Sequence, residues 1–126
     1  MDKLYIPGDL VSVYVGVKKY IVEVIGTENE NEALLYQIKF PNGEIQYADK
    51  DNIVPIPLTS EILEKNGWEH KDDIYFKEFP HRKLVIMDEN AYIINECCSM
   101  FLCPAKFVPQ LQHLLFGLGL NSEMEV

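Results

Sequence analysis

Basic residues are scarce in this sequence of 126 residues, which has 11 Lys and Arg against 20 Asp and Glu and a formal net charge of −9. The net charge is −4 over residues 1–57 and −5 over residues 58–126, so neither half is basic. The two short basic clusters, Lys18-Lys19 and His81-Arg82-Lys83, are typical of turns. Because nucleic-acid binders gain affinity largely by neutralising phosphates, direct binding to nucleic acid is disfavoured.

A long apolar run is also missing. The longest one, residues 97–108, is interrupted by Ser99, Pro104 and Lys106, and it is too short to span a bilayer. Pro7 interrupts the sequence near its start, so no continuous apolar stretch there resembles a signal peptide. We therefore expect no membrane association.

Cysteine is sparse and unevenly placed, with Cys97, Cys98 and Cys103 in one short stretch. An odd, clustered set argues against the disulfide framework of a small secreted protein. Zinc sites need paired ligands at short spacing plus a second pair, and this sequence does not contain them. The pattern predicts a cytoplasmic protein without a metal site or other cofactor, in which the cysteines pack into the core.

Recognised catalytic patterns are lacking as well. A nucleophilic dyad of Cys103 and His113 can be drawn, but nothing in the sequence fixes its geometry. No glycine-rich loop is followed by Lys-Ser or Lys-Thr, and the acidic pairs near residues 50, 72 and 88 do not have the spacing of calcium loops. We predict no catalytic residues, and a hydrolase using Cys103 or an acidic pair ranks last among the functions considered.

Alternating β-branched and aromatic residues dominate the first half of the chain. They predict strands within residues 9–15, 20–26 and 53–56, a hairpin over Ala33–Ala48 turned by Pro41-Asn42-Gly43, and a solvated acidic loop over residues 27–32. Five short strands with tight turns are typical of an SH3-like or Tudor-like barrel. Residues 1–57 are therefore predicted to be a small β-barrel module.

The periodicity then changes, and residues 58–126 are predicted to form a second, α+β module packed on the first. Thr59 caps a short helix that stops at Asn66-Gly67, with Trp68 folding back onto it. Three strands follow within residues 74–79, 83–87 and 91–96, forming an antiparallel meander. An amphipathic helix then starts near Phe107 and ends at Gly117 or Gly119. Its polar side is predicted to carry Gln110, Gln112 and His113, and an acidic tail covers residues 121–126.

Several aromatic residues of the barrel form a candidate binding surface. Tyrosine and phenylalanine rings can cage a methylated lysine or arginine through cation–π attraction, and the acidic charge suits a cationic ligand. The competing interpretation is that the rings fill the barrel, and the alternation assigns Tyr36, Phe40 and Tyr47 to the core side. The candidate residues, together with the surface histidine of the last helix, are Tyr14, Tyr20, Tyr36, Tyr47 and His113.

Two segments carry a family resemblance: residues 53–68, which include Pro55-Ile56-Pro57-Leu58-Thr59 and end in Asn66-Gly67-Trp68, and residues 107–114. Together they resemble a family of small proteins carried by phages and conjugative elements of gut bacteria. The resemblance covers about a third of the chain and implies a β-rich start, a short helix, strands and a closing helix. It transfers no catalytic or binding residue, and Pro109 stands where that family often has histidine.

Three classes of function follow from these observations. The favoured one is a non-enzymatic accessory protein of a mobile element that binds another protein through the barrel or the last helix. The second is a regulator of nucleic-acid transactions, as an acidic mimic of nucleic acid or a weak binder, and the third is the hydrolase. The apolar stripe of the last helix and Phe101-Leu102 also allow a homo-oligomer.

Overall fold

A computed structural model describes residues 5–30, 33–96 and 98–126 of the chain. The chain divides into two compact units, Met1–Ile56 and Pro57–Val126. Each unit contains one five-stranded antiparallel sheet, and both α-helices of the described residues belong to the second unit. The fold class is α+β, as predicted from the change in periodicity.

The first unit is a meander whose last strand returns to the first. Its strands are β1 (Leu10–Val15), β2 (Lys18–Glu30), β3 (Ala33–Lys39), β4 (Ile45–Asp49) and β5 (Ile53–Pro55), in the order β4-β3-β2-β1-β5. A 3-10 turn over Lys50–Asn52 leads into β5. Within the described residues the sheet is open, because β4 and β5 each pair with one neighbour and not with each other.

The longest strand of the first unit, β2, corrects one prediction. It continues through Thr27 to Glu30 paired with β3, where the acidic composition predicts a loop. Pairing with β3 satisfies the backbone of these polar residues even though they add little to the core. The register shifts between Val24 and Gly26, so the strand contains a bulge, which increases its bend and twist. The last two residues of the predicted loop, 31–32, lie outside the described residues.

The apolar residues of β1, β2 and β3 alternate as the sequence predicts, and one face of the sheet forms the core. Directly opposite pairs on this face include Val11 with Val22 and Val13 with Tyr20. Since burial of each such side chain contributes about 1.5–3 kcal/mol, this face is the main source of stability of the unit. The buried residues of the core are Tyr5, Val11, Val13, Val22, Val24, Tyr36, Ile38, Phe40 and Ile53.

The second unit is a meander flanked in sequence by its two helices. Its elements are α1 (Ser60–Lys65), β6 (Glu69–Lys71), β7 (Ile74–Phe79), β8 (Arg82–Met87), β9 (Asn90–Ile94), β10 (Ser99–Pro104) and α2 (Val108–Gly117), and the sheet order is β10-β9-β8-β7-β6. Strands β7, β8 and β9 confirm the predicted meander. Strands β6 and β10 add two more that the sequence does not predict. The segment containing Cys103 therefore pairs with β9 as a strand instead of forming a loop.

Helix α1 begins and ends at the residues expected for it. The Thr59 hydroxyl accepts a hydrogen bond from the Ile62 amide at 3.2 Å, which caps the first turn. After the helix, Gly67 has φ +86°, and the Trp68 amide donates to the Leu63 carbonyl at 3.0 Å. This is a Schellman ending, which normally brings the residue after glycine against the last turn. Trp68 is buried in the same apolar cluster as Leu63, as predicted.

Helix α2 departs from the predicted amphipathic pattern at one position. Gln110 caps its start, because the Gln110 side-chain oxygen accepts from the Lys106 and Phe107 amides at 2.7 and 3.0 Å. Gln112, assigned to the polar side from spacing alone, is instead buried, and its side-chain amide donates to the Ser122 carbonyl at 3.2 Å. The segment after the helix folds back over Gln112, so a polar side chain there has a partner and its burial is tolerated.

Candidate functional site

The four candidate tyrosines of the first unit do not converge into a cage. Tyr36 is only 1% exposed and packs edge-on against Tyr5, with ring centroids 5.4 Å apart. Tyr14 and Tyr20 lie on opposite faces of the sheet, because Tyr14 pairs with Lys19 and Tyr20 pairs with the core residue Val13. A cage needs two or more rings around one point. The four tyrosine side chains are not arranged in this way, so they form no cage.

Tyr47 is the one tyrosine whose predicted face is wrong. Between β3 and β4, the Phe40 amide donates to the Glu44 carbonyl at 2.8 Å and closes a loop of three residues, 41–43, in which Gly43 has φ +91°. This loop length places Tyr47 opposite Gln37 on the solvent face, where it is 53% exposed. A shift of one residue in hairpin register moves a side chain to the other face, and alternation alone does not specify it.

The electrostatics of Cys103 do not support the thiol dyad that can be drawn between Cys103 and His113. Burial raises the pKa of the Cys103 thiol, whereas a nucleophilic cysteine needs a lowered one. Cys98 is exposed and free, so its predicted packing into the core is wrong, and Cys97 lies outside the described residues. His113 is half-buried on α2. Within residues 5–30, 33–96 and 98–126, no three His, Cys, Asp or Glu side chains converge to hold a metal ion.

The acidic pairs that could be drawn as cation ligands lie at turns, two of them at hairpin turns and one at the 3-10 turn before β5. Asp72, Asp88 and Glu89 all have positive φ, between 50° and 62°, which is the conformation that tight hairpin turns require. Asp49 caps the 3-10 turn of the first unit, accepting from the Asp51 amide at 2.9 Å. Their predicted role as turn residues is confirmed.

Two clefts on the described residues lack the features of a small-molecule site. One of about 330 Å³ lies at the β7–β8 turn, where Glu78, Arg82, Lys83 and Glu96 contribute charges of both signs. Another, of about 300 Å³, lies in the first unit between Leu10 and Pro41. Ligand pockets are usually enclosed and apolar with a few converging polar groups, and both clefts are shallow.

The second sheet has an apolar outer face, opposite the one its helices cover. The helices pack on the face that carries Leu84, Ile86 and Ala91, and all three belong to one cluster with α1 and α2 residues. Side chains alternate along each strand, so the residues between them point to the other side. We call these residues the outer face: Ile74, Phe76, Val85, Met87, Tyr92, Ile94 and Phe101.

A single row of apolar side chains crosses four strands at the centre of the outer face. Phe76 pairs with Val85, Val85 with Tyr92, and Tyr92 with Phe101. The rings of Tyr92 and Phe101 meet edge to face, with centroids 5.7 Å apart. Such cross-strand pairs stabilise the row itself, by roughly 0.2–1 kcal/mol each. Phe101 nevertheless remains 53% exposed at one end.

Charges surround the row without interrupting it. The Lys83 ammonium lies 4.9 Å from the centre of the Phe76 ring and 3.9 Å from a carboxylate oxygen of Glu78. Glu69, opposite Phe76 on β6, ends the row on the other side.

Val85 is only 7% exposed, so the accessible part of the row consists of Phe76, Tyr92 and Phe101. An accessible apolar patch with a polar border is a feature of protein-binding surfaces. The signal in the sequence for the outer face is the alternation of residues 74–79 and 83–87. Because both faces of these strands are apolar, the alternation does not show which face the helices cover.

No family model matches this chain, and no curated protein and no solved structure is similar to it. None of the helices in the described part of the chain is long and apolar enough to cross a membrane.

Proposed function

We propose that this chain is a non-enzymatic protein-interaction module that binds another protein through the outer face of its second sheet. The observation that carries the proposal is the row of Phe76, Val85, Tyr92 and Phe101, which lies on the face opposite the helices. Aromatic residues at the centre of a patch, with charges at its border, are the usual composition of binding hot spots.

The partner is a protein with a net positive charge and an apolar surface of its own. The chain has a net charge of −9, so a basic protein is attracted to it over distances near the Debye length, whereas two copies of the chain repel one another. The apolar row supplies affinity at short range. We therefore expect the association rate constant to be higher at low salt. The dissociation rate constant should depend mainly on the apolar row.

The cellular setting of the proposal rests on the sequence. The resemblance of residues 53–68 and 107–114 to proteins of phages and conjugative elements supports an accessory role in a mobile element. Free Cys98 and Cys103 support a cytoplasmic location, where thiols stay reduced. For the first unit we propose an SH3-like scaffold, supported by its meander order and by the 3-10 turn before β5.

The alternative is a regulator of nucleic-acid transactions that acts as an acidic mimic, and the net charge of −9 favours it over direct binding. A mimic competes with DNA or RNA for a basic groove, and its affinity depends on carboxylates instead of aromatic rings. Charge-neutralising substitutions such as Glu69→Gln and Glu78→Gln would weaken a mimic most, whereas loss of Phe101 would weaken the proposed interaction most.

Two neighbouring residues of β10 provide a matched test. Phe101 lies on the outer face and Met100 on the opposite one, and they are similarly exposed, at 53% and 57%. We expect Phe101→Ser to weaken capture of a basic partner by about tenfold or more, as hot-spot truncations do, while Met100→Ser leaves it unchanged. The measurement is quantitative affinity capture from a cell extract. The proposal would be contradicted if both variants captured the partner equally. It would also be contradicted if Phe101→Ser weakened only the association of the chain with a second copy of itself.

A further inference from the structure

The last six residues of the sequence lie as an extended segment against the helices of the second unit. Ser122, Met124 and Val126 are half-buried, whereas the residues between them are exposed, so the segment has the period of two that extended chains show. Met124 packs against the apolar cluster that includes Leu63 and Leu111. The acidic tail predicted from the sequence is thus held on the protein.

Asn66 binds the main chain of this segment through both ends of its carboxamide. The side-chain nitrogen of Asn66 donates to the Glu125 carbonyl at 2.7 Å, and the Glu125 amide donates to the side-chain oxygen of Asn66 at 2.8 Å. A carboxamide carries a donor and an acceptor side by side, as a strand residue does. It therefore recognises an extended backbone and not the Glu125 side chain.

Asn66 is held in place for this contact. It is the C-terminal cap of α1, its side-chain nitrogen also donates to the Ile62 carbonyl at 2.7 Å, and its own carbonyl accepts from the Lys77 ammonium at 3.0 Å. A side chain fixed by its surroundings loses little entropy when it binds, so its contacts contribute more to affinity.

Two other side chains bind main-chain oxygens of the same segment. Lys65 donates to the Val126 main-chain oxygen at 3.3 Å, and Gln112 donates to the Ser122 carbonyl at 3.2 Å. Side chains of α1, its C-terminal cap and α2 thus contact the backbone at three points along the segment, and Met124 packs into the apolar cluster. Main-chain hydrogen bonds combined with contacts to alternate side chains are how proteins recognise extended peptides.

We propose that this groove, formed by Lys65, Asn66 and Gln112, is a binding site for extended peptides that residues 121–126 occupy within the same chain. The ligand that this groove would take from outside the chain is an extended segment of another protein. That segment has apolar residues at alternate positions and acidic residues between them. Lys65 favours such acidic segments. Because the tethered segment competes at a high effective concentration, the native chain binds outside peptides weakly until its own segment is released.

A labelled peptide with the sequence of residues 119–126 tests the site by fluorescence anisotropy. The native chain is compared with a full-length variant, Met124→Ser with Val126→Ser, whose own segment is loosened. We expect the variant to bind the peptide about tenfold or more tightly than the native chain, because the tethered competitor is weakened. A peptide carrying the same two serines is expected not to bind.

Asn66→Ala in the loosened variant separates this site from a non-specific surface. It should weaken peptide binding by about tenfold, while Glu64→Ala, an exposed change on the same helix, should not. Equal binding by native and loosened chains, or binding that does not depend on Asn66, would overturn the proposal. The circular dichroism spectra of the loosened variant and of a chain ending at Leu120 test whether the segment is needed for folding. If both variants lose the native spectrum, the segment is an obligatory part of the fold and the proposal is wrong. Phe101→Ser lies outside the groove, so this test and that of the outer face can fail separately.

Discussion

The two sheets of this protein differ in how they use the face that is turned away from the core. On the first sheet, the row that contains Leu10 and Ile45 is interrupted by the charged pair Glu23 and Lys39. On the second sheet, the central row is apolar over four successive strands. Both sheets have five antiparallel strands, so strand number and topology do not explain the difference.

The two faces differ because the two units form their cores in different ways. The first unit forms its core from one sheet bent by a bulge in β2. Exposed apolar residues on the other face of that sheet, such as Ile21 and Tyr47, pair with the polar residues Ser12 and Gln37 and form no continuous row. The second unit forms its core from a sheet and two helices, and these helices pack on one side of that sheet. The apolar residues on the other side are thus in excess of what the core requires, and in the proposed function they contact a partner.

Truncation of a core residue on the helix-covered face is expected to have the largest effect. Leu84 is fully buried there, and Leu84→Ala should lower the free energy of unfolding by about 2–4 kcal/mol, from lost burial and the cavity left behind. Urea unfolding followed by fluorescence of Trp68, the single tryptophan, measures it. A loss below about 1 kcal/mol would show that this face is not the main core.

The ends of the helices give an intermediate effect with a control built into the chain. Gly67 has φ +86°, so Gly67→Ala should lower the free energy of unfolding by about 1 kcal/mol. Gly117 has no such conformation and open space around it, so Gly117→Ala should raise stability by up to about 1 kcal/mol. Thermal unfolding compares the two. The same change in melting temperature for both would contradict the Schellman ending of α1.

Alkaline pH is expected to destabilise the first unit through Tyr5. Burial, with smaller contributions from Tyr36 and Asp9, raises the pKa of Tyr5 above its ordinary value. The folded protein therefore keeps this proton at a pH where the unfolded chain has lost it, and stability falls as pH rises above about 10. Phenolate absorbance and circular dichroism follow the transition. Tyr5→Phe should reduce this pH dependence, and an unchanged slope would contradict the assignment.

The smallest effect on stability is expected from the outer face itself. Because Phe101 is at the sheet edge and half exposed, Phe101→Ser should change the free energy of unfolding by no more than about 0.5–1 kcal/mol. The same urea titration as for Leu84→Ala measures it. A loss as large as that of Leu84→Ala would mean that the outer face is a second core and not a free surface.

Local patterns in the sequence predicted much of this fold. The strands β1 and β7 to β9, the cap at Thr59 and the stop at Asn66-Gly67 all follow from side-chain alternation and from turn or cap residues, which act within a few positions. Strand β10 is not predicted, because its own residues resemble a buried loop. It forms a strand only because it pairs with β9, and its local sequence does not show this pairing. The face of Tyr47 depended on the length of one hairpin loop.

The candidate sites were harder to predict for a different reason. Tyr14, Tyr20 and Tyr47 are exposed in the structure, Tyr47 against its predicted face, and sequence spacing does not say which strands lie between them. The outer face combines residues of four strands, from Phe76 to Phe101, and the groove joins Asn66 to Glu125. Both arise only from tertiary pairing, so no local pattern contains them.

Site-specific photo-crosslinking tests the role of the outer face most directly. A benzophenone amino acid replaces Phe101 in one full-length variant and Met100 in another, and each is irradiated in a cell extract at low salt. We predict a crosslink from position 101 to a basic protein of another sequence, and none of comparable yield from position 100. Equal crosslinking from both positions, or crosslinks from position 101 only to a second copy of this chain, would contradict the account.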